Sequence, residues 1–208
     1  MINYVVLKIP TAFAKEYIIK NHYAHGCTSC PSACYGLLDG LNLIGVLMFA
    51  CPCSENVRAS VFGVEHKHRV IELHRLHILD VTPKNTESWF ISKCLKLLQQ
   101  DKPEIKGVLS FSDSSEGHEG IIYQATNAYR CGSTGSAIFY RDKQGRLRHP
   151  RQHGVNITLD AAKEKGWAPE RRGVKNRYLY IIGNKREKKF FKKICKIINT
   201  GDKNVNKW

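Results

Sequence analysis

Along the first 140 positions the spacing of apolar residues switches repeatedly between two and about 3.6, and a chain patterned this way builds a sheet with helices packed against it. Asn3 to Ile9 reads as a strand, and Thr11 to Asn21 as a helix with Phe13, Tyr17 and Ile18 on one face. Tyr35 to Leu38 and Leu43 to Phe49 flank Asp39-Gly40-Leu41-Asn42, a hairpin signal. Val57 to Phe62 and Val70 to Leu79 read as strands. In the second, Ile71, Leu73, Arg75 and His77 alternate with Glu72, His74, Leu76 and Ile78. Pro83 to Ser88 leads into a helix over Trp89 to Leu98, which Thr86 or Asn85 can cap. Val108 to Phe111 is the next strand, Glu119 to Ala125 a short helix, and Tyr129 to Cys131 with Ala137 to Arg141 a final strand pair. Further on come a helix over Thr158 to Gly166, a strand over Tyr178 to Ile182, and a basic amphipathic helix over Lys185 to Ile198 that is expected to dock on the domain. The expected class is α/β (α+β), a mixed sheet flanked by helices.

Charge divides the chain unevenly. The whole sequence of 208 residues carries 33 Lys+Arg against 18 Asp+Glu, a formal +15. From Arg141 to Trp208 there are 20 and 6, whereas residues 1–140 hold 13 and 12. A near-neutral body with a basic C-terminal third is the footprint of a protein that meets a polyanion, because each cation set on a phosphate releases condensed counterions. The same excess could serve solubility alone. No apolar run approaches the roughly 18 residues of a membrane span, and no export signal follows Met1, so a soluble intracellular protein with mostly reduced cysteines is expected.

Three constellations carry possible chemistry. The turn Pro83-Lys84-Asn85-Thr86-Glu87-Ser88 stands between a strand end and a helix start, where free amides suit a phosphate; a plain helix cap is the alternative. Ser112-Asp113-Ser114-Ser115-Glu116-Gly117-His118-Glu119 concentrates acid, base and hydroxyl groups in one turn, with Tyr123 and Asn127 just beyond; a hydrogen-bonded loop would look the same. His22-Tyr23-Ala24-His25-Gly26-Cys27-Thr28-Ser29-Cys30, with Cys34, Cys51 and Cys53 downstream, offers Cys27 and Cys30 at CxxC spacing for zinc, or simply reduced structural thiols. His74 and His77 are expected on opposite faces of their strand and unable to share an ion.

These same segments resemble a known family. Glu72-Leu73-His74-Arg75-Leu76, Pro83-Lys84-Asn85-Thr86-Glu87-Ser88-Trp89-Phe90, and Asp113-Ser114 followed by Gly117-His118-Glu119-Gly120 and Ile122-Tyr123-Gln124-Ala125-Thr126-Asn127 are similar to the Mom family of phage DNA-modification proteins, divergent members of the GNAT acyltransferase superfamily. The likeness covers roughly His22 to Arg151. It implies a GNAT-like, mostly antiparallel sheet over residues 1–141, with a basic nucleic-acid-binding extension over 142–208 packed on it.

The resemblance further implies conversion of adenine N6 in double-stranded phage DNA to a carbamoylmethyl form, in the cytoplasm of the infected host, as protection from restriction. Asp113, Ser114, His118, Tyr123 and Asn127 would surround the reacting centre together with Tyr23. Arg75, Lys84, Asn85, Thr86 and Ser88 correspond to the cofactor side. His22, Tyr23 and Asp113 form a possible iron or zinc element; Cys27 and Cys30, a second candidate set, rest on their CxxC spacing and not on the family pattern. Where the superfamily carries a glycine-containing pyrophosphate loop, this chain has Pro83 to Ser88. The donor implied is acetyl-CoA or an aminoacyl species such as glycyl-tRNA, which would make tRNA a second partner.

Adenine N6 is a poor nucleophile, so Asp113, with His118, is expected to take its proton while Tyr123 assists the donor. The base has to leave the duplex to be reached. Arg141, Arg146, Arg148, Arg151, Arg171, Arg172, Lys175 and Arg177 would hold phosphates, and Tyr129, Phe139 or Tyr140 would stack on the base. Two other classes fit the sequence: a nucleic-acid-binding protein on a degenerate acyltransferase scaffold, and an ordinary N-acetyltransferase.

Overall fold

The computed structural model describes residues 4–52, 54–117, 119–152 and 155–199, with the side chains of 116, 151, 152, 155 and 199 excepted. In chain order the elements are β1 (Tyr4–Lys8), α1 (Thr11–Asn21), β2 (Pro31–Asp39), β3 (Asn42–Ala50), α2 (Glu55–Phe62), β4 (Val70–Ile78), α3 (Thr86–Asp101), β5 (Gly107–Asp113), α4 (Ile121–Ala125), β6 (Tyr129–Ser133), β7 (Ala137–Arg141), β8 (Leu147–Arg148), β9 (Arg151–Gln152), β10 (Val155–Asn156), α5 (Leu159–Glu164), β11 (Ala168–Arg172), β12 (Lys175–Ile181), α6 (Lys185–Ile194) and α7 (Lys196–Asn199). Two compact units emerge: residues 1–111, 120–132 and 177–208, and residues 112–119 with 133–176.

The first unit is built on a seven-stranded sheet in the order β1-β2-β3-β4-β5-β12-β6. β1 to β4 pair antiparallel in succession, and β4 pairs parallel with β5. The hairpin at 39–42 forms as expected, with Asp39 opposite Asn42 and Gly40 at φ +58°. Period-two alternation sorts the strands onto two faces. Tyr35, Leu37, Leu47, Phe49, Tyr178 and Tyr180 join Phe90, Ile91, Cys94 and Leu98 of α3 in one core. Cys34, Val46 and Met48 meet Ala14, Tyr17 and Ile18 of α1 in a second. Val70, Leu109 and Leu179 meet Val61, Phe62 and Phe191 in a third.

Several local expectations change. The face of α1 that packs is Ala14, Tyr17 and Ile18, while Phe13 is 60% exposed. Residues 57–62 are helical rather than extended: Glu55 opens the first turn, Gly63 at φ +91° ends it, and the packing of Val61 and Phe62 overrides their β-propensity. α3 starts three residues before Trp89. Asn85 occupies its N-cap in a left-handed conformation without a side-chain cap bond. The strands at 129–133 and 137–141 do not pair; β6 borders β12 in the seven-stranded sheet, and β7 lies between β11 and β8. The segment expected as one helix over 185–198 breaks at Cys195.

The division expected at residue 141/142 coincides with none of the four crossings between the units. β12 and α6, both from the basic third, complete the first unit, because Tyr178, Leu179, Tyr180 and Phe191 fill its cores. The second unit holds the sheets β11-β7-β8 and β10-β9. Its helix α5 is capped by Thr158, whose hydroxyl accepts from the Ala161 amide at 3.2 Å. No helix among the described residues is long and apolar enough to cross a membrane.

Phe191 is 5% exposed with its ring 4.8 Å from that of Phe62, whereas its neighbour Phe190 is 49% exposed. Phe191→Ala therefore lowers unfolding free energy by about 3–5 kcal/mol in a denaturant titration. Phe190→Ala lowers it by less than about 1 kcal/mol.

Candidate active site where two strands part

β4 and β5 pair only from Val70 to Glu72 against Gly107 to Leu109; beyond that point they separate. The other edge of β4 bears an irregularity at the same level. Leu73 lies opposite Phe49 and Arg75 opposite Met48, leaving His74 as the extra residue of a bulge. Ile71, Leu73 and Ile78 belong to the α3-side core with Leu76 packed on it, so parity flips at His74. The strict alternation expected through Arg75 and His77 is thus broken. His74 and His77 both face α1 and the segment after it: His74 Nε2 accepts from the Thr28 amide at 3.1 Å, and His77 Nδ1 lies 3.3 Å from the Tyr17 hydroxyl. Burial lowers the His77 pKa.

Next to the last paired residues, Glu72 of β4 and Ser110 of β5 both act on Tyr123 of α4. Tyr123, 9% exposed, packs at 5.2 Å on the fully buried ring of Tyr178. Gly120 precedes α4 at φ +74°, and any Cβ there would strike the Tyr178 hydroxyl, so this position sets how closely α4 approaches β12. Tyr180 shares a 2.5 Å hydrogen bond with Thr126. Burial pushes the Tyr123 phenol above its ordinary pKa, the neighbouring Ser110 hydroxyl opposing; Tyr23, Tyr178 and Glu72 add repulsion in the same direction as burial. Ser110 itself is fully buried and has no well-formed hydrogen bond among the described residues. Glu72, absent from the sequence-derived site, sends Oε1 to 3.8 Å from His74 Nδ1. Its sequence signal was its place in the same alternating register as His74.

Residues 22–30 border this strand. His22 is 7% exposed, its Nδ1 accepts from the Ala24 amide at 3.0 Å, and its ring stacks 4.3 Å from that of Tyr23, which is 54% exposed. Arg75 ties the segment down by donating to the carbonyls of Gly26 at 3.0 Å and His74 at 2.7 Å. Asn127 is a left-handed turn residue at φ +62° after α4. Cys27 and Cys30 are free thiols, and Cys53 lies outside the described residues. Among the described residues no three His, Cys, Asp or Glu side chains are grouped to hold a metal.

Asp113 and Ser114 belong to the second unit; His118 lies outside the described residues. Asp113 accepts from the Ser115 amide at 3.0 Å and pairs with Arg172 at 3.4 Å and Lys175 at 3.5 Å. Burial disfavours its charge, but that amide and the two cations outweigh it and hold the carboxyl below the usual carboxylate range. Ser114 donates to the Val174 carbonyl at 2.6 Å. These contacts hold the described part of the turn together.

The expected phosphate-binding cations are largely engaged. Asp142, its side chain 2% exposed, takes Arg146 at 2.9 Å and Arg148 at 2.7 Å. Against the penalty of burial, those arginines and two backbone amides bring its pKa down to about 2. Arg141 pairs with Glu170 at 2.6 Å, Arg172 also reaches Glu170 at 3.6 Å, Arg171 donates to Ser136 at 3.3 Å and Arg177 to the Cys131 carbonyl at 3.0 Å. The Arg151 side chain lies outside the described residues. Tyr140 is 5% exposed and therefore unavailable for stacking.

At the start of α3, Thr86 donates to the Pro83 carbonyl at 2.6 Å and Ser88 to the Asn85 carbonyl at 2.9 Å, so both hydroxyls are occupied. The first-turn amides receive no side-chain cap, and exposed Lys84 stands beside them. This donor set fits a phosphate through backbone and charge rather than through hydroxyls.

A profile of the Mom protein family matches residues 3–197. Methylcarbamoylase mom of Escherichia phage Mu is 30% identical over 172 residues, covering 83% of this chain, and the chain spans 64% of that relative's length. The N-acetyltransferase of Staphylococcus aureus Mu50 superposes with a TM-score of 0.50 at 8% identity, over 86% of this chain and 97% of its own. A putative acetyltransferase of Salmonella typhimurium, solved with its cofactor acetyl-CoA, gives 0.50 at 8% over 87% and 95%. One from Acinetobacter baylyi ADP1 gives 0.51 at 8% over 88% and 94%. At these identities the structures establish the fold: a mixed, mostly antiparallel sheet flanked by helices, of the acetyltransferase type.

Because the folded-state pKa of Asp113 is depressed, its contribution is present above about pH 4 and is lost as pH falls through the lower folded value. Asp113→Asn lowers the thermal midpoint near neutrality by roughly 2–4 °C, the shift for about 1 kcal/mol in a chain of this length. The gap to wild type closes below about pH 4 in a scanning series.

Proposed function

The chain belongs to the Mom protein family, and from that membership we propose that it is a transferase of phage DNA modification, placing a carbamoylmethyl group on adenine N6 of duplex DNA and so shielding it from restriction nucleases in the infected host. The observation that carries this is the 30% identity to the phage Mu methylcarbamoylase, which extends over 83% of the chain and spans the strands and helices around the parted β4 and β5.

The exocyclic amine of adenine is delocalised into its ring, so the donor carbon has to be polarised as the N–H proton leaves. Tyr123, whose phenol burial keeps protonated at neutral pH, is an acid and hydrogen-bond donor rather than a base. Glu72, whose charge acts on Tyr123 and whose carboxylate lies 3.8 Å from His74, is assigned to receive the N6 proton. Exposed Tyr23 supplies an aromatic face for a flipped base. Asp113 is assigned to stiffening its own turn through Arg172 and Lys175.

For the donor, the acetyltransferase fold supports a coenzyme A thioester, which when bound would supply a two-carbon unit. Acyl transfer alone would leave an N-acetyl amide on N6 with release of the thiol, so the carbamoylmethyl product requires in addition an amide-nitrogen donor and a two-electron oxidant acting at the α-carbon. The uncapped amides of Glu87 and Ser88 and the ammonium of Lys84 would hold the coenzyme's phosphates. An aminoacyl-tRNA donor draws no such support from the fold.

Mass spectrometry of nucleosides from DNA of cells expressing the full chain tests the proposal. Wild type yields a deoxyadenosine heavier by one carbamoylmethyl group. Tyr123→Phe and Glu72→Gln each reduce its yield by about 100-fold or more, the usual loss when a proton-transfer group is removed. Unaltered adenine with wild type rejects the function, and acetylated small amines in its place would mark an ordinary N-acetyltransferase.

A further inference from the structure

In the first unit α6 is a dense run of cations. Six of its ten residues are Lys or Arg, and Glu187 is its one acid. Glu187 is already consumed: it accepts from the Asn184 amide at 2.8 Å and pairs with Lys106 at 2.7 Å. Lys185 and Lys189, Lys188 and Lys192, and Lys189 and Lys193 are like-charged neighbours one turn apart, and Lys185 and Arg186 sit where the helix dipole disfavours cations. Such a helix persists through its capping box and through Phe191 and Ile194 packed into the core, not through its own charges. Beside the lysines Phe190 stays 49% exposed, its ring edge-on to His66 at 6.0 Å.

We infer that α6 is a second, non-catalytic anchoring surface for duplex DNA, with Lys185, Lys188 and Lys189 on phosphates and Phe190 against a sugar or base edge. This rests on the function proposed above for its choice of polyanion. The ion pair with Lys106 places the start of α6 just before β5, whereas Ser110 beside Tyr123 lies four residues further along, roughly 13 Å away at the usual strand rise. The anchor thus lies by the start of β5 and the reacting centre by its middle. An anionic membrane is the less suitable partner, since a surface-lying helix inserts its apolar face and here Phe191 and Ile194 spend that face on the core.

Fluorescence anisotropy with an unmodified 30-bp duplex over a salt series is the test, using the full-length chain. Lys185→Gln/Lys188→Gln/Lys189→Gln flattens the slope of log K against log salt by about 3 and weakens binding by about tenfold or more near 0.1 M salt, at about 0.9 for each phosphate that is no longer neutralised. Phe190→Ala weakens binding while leaving the slope as in wild type. Unchanged slope and affinity in the triple variant, with its thermal midpoint intact, overturn the inference. So does triple-variant loss of binding to phosphatidylglycerol vesicles with duplex binding retained. Binding is read without any modification reaction, so a changed slope alongside unaltered nucleosides sinks the proposed function and leaves the anchor standing, and the converse result sinks only the anchor.

Discussion

Everything at the candidate site follows from the failure of β4 and β5 to stay paired. Three residue pairs hold them together, and past Glu72 and Leu109 each strand goes its own way. A sheet interior normally satisfies its backbone groups strand to strand and leaves no room for a ligand. The parting opens that room without sacrificing the core, because Tyr35, Leu47, Phe49 and α3 continue behind it. The His74 bulge acts on the same strand: one extra residue turns His74 toward the segment after α1 and returns Leu76 and Ile78 to the core.

Electrostatics then sort the ionisable groups into two kinds. Asp113 and Asp142 have little exposed side chain, are surrounded by amides and arginines, and are held strongly ionised. Such carboxylates are poor proton acceptors and good struts. Tyr123 is the opposite, a group whose burial preserves its proton. Strong partnership and chemical availability exclude one another, and the exposure of Lys84 and of the α6 lysines stands out against arginines committed to carboxylates.

Much of the fold was legible in the chain. The 3.6-residue spacing of Phe90, Ile91, Cys94 and Leu98 names the buried face of α3, and the hairpin at 39–42 declares itself through Asp-Gly. The errors share one cause. Val57 to Phe62 carries β-branched residues that suit either state until Phe191 arrives from about 130 positions away to pack on Phe62. β6 and β7 are adjacent in sequence and extended, yet each finds a partner from residues 168–181 rather than the other. At the site, Tyr123 was visible from its motif, while Glu72 was not read as a site residue, because its charge acts on Tyr123 only through long-range folding that no local pattern encodes.

By itself the sequence determined the alternation of strands and helices, the faces that had to be buried, the family, and the excess of positive charge, since these depend on residue type and short-range spacing. Only the tertiary structure decided where two neighbouring strands stop pairing, which carboxylates are spent on arginines, and that the basic C-terminal segment contributes a strand and a helix to the first unit's core. Those outcomes are set by long-range packing and by which charges end up within a few ångströms of one another, quantities that have no value until the chain has closed on itself.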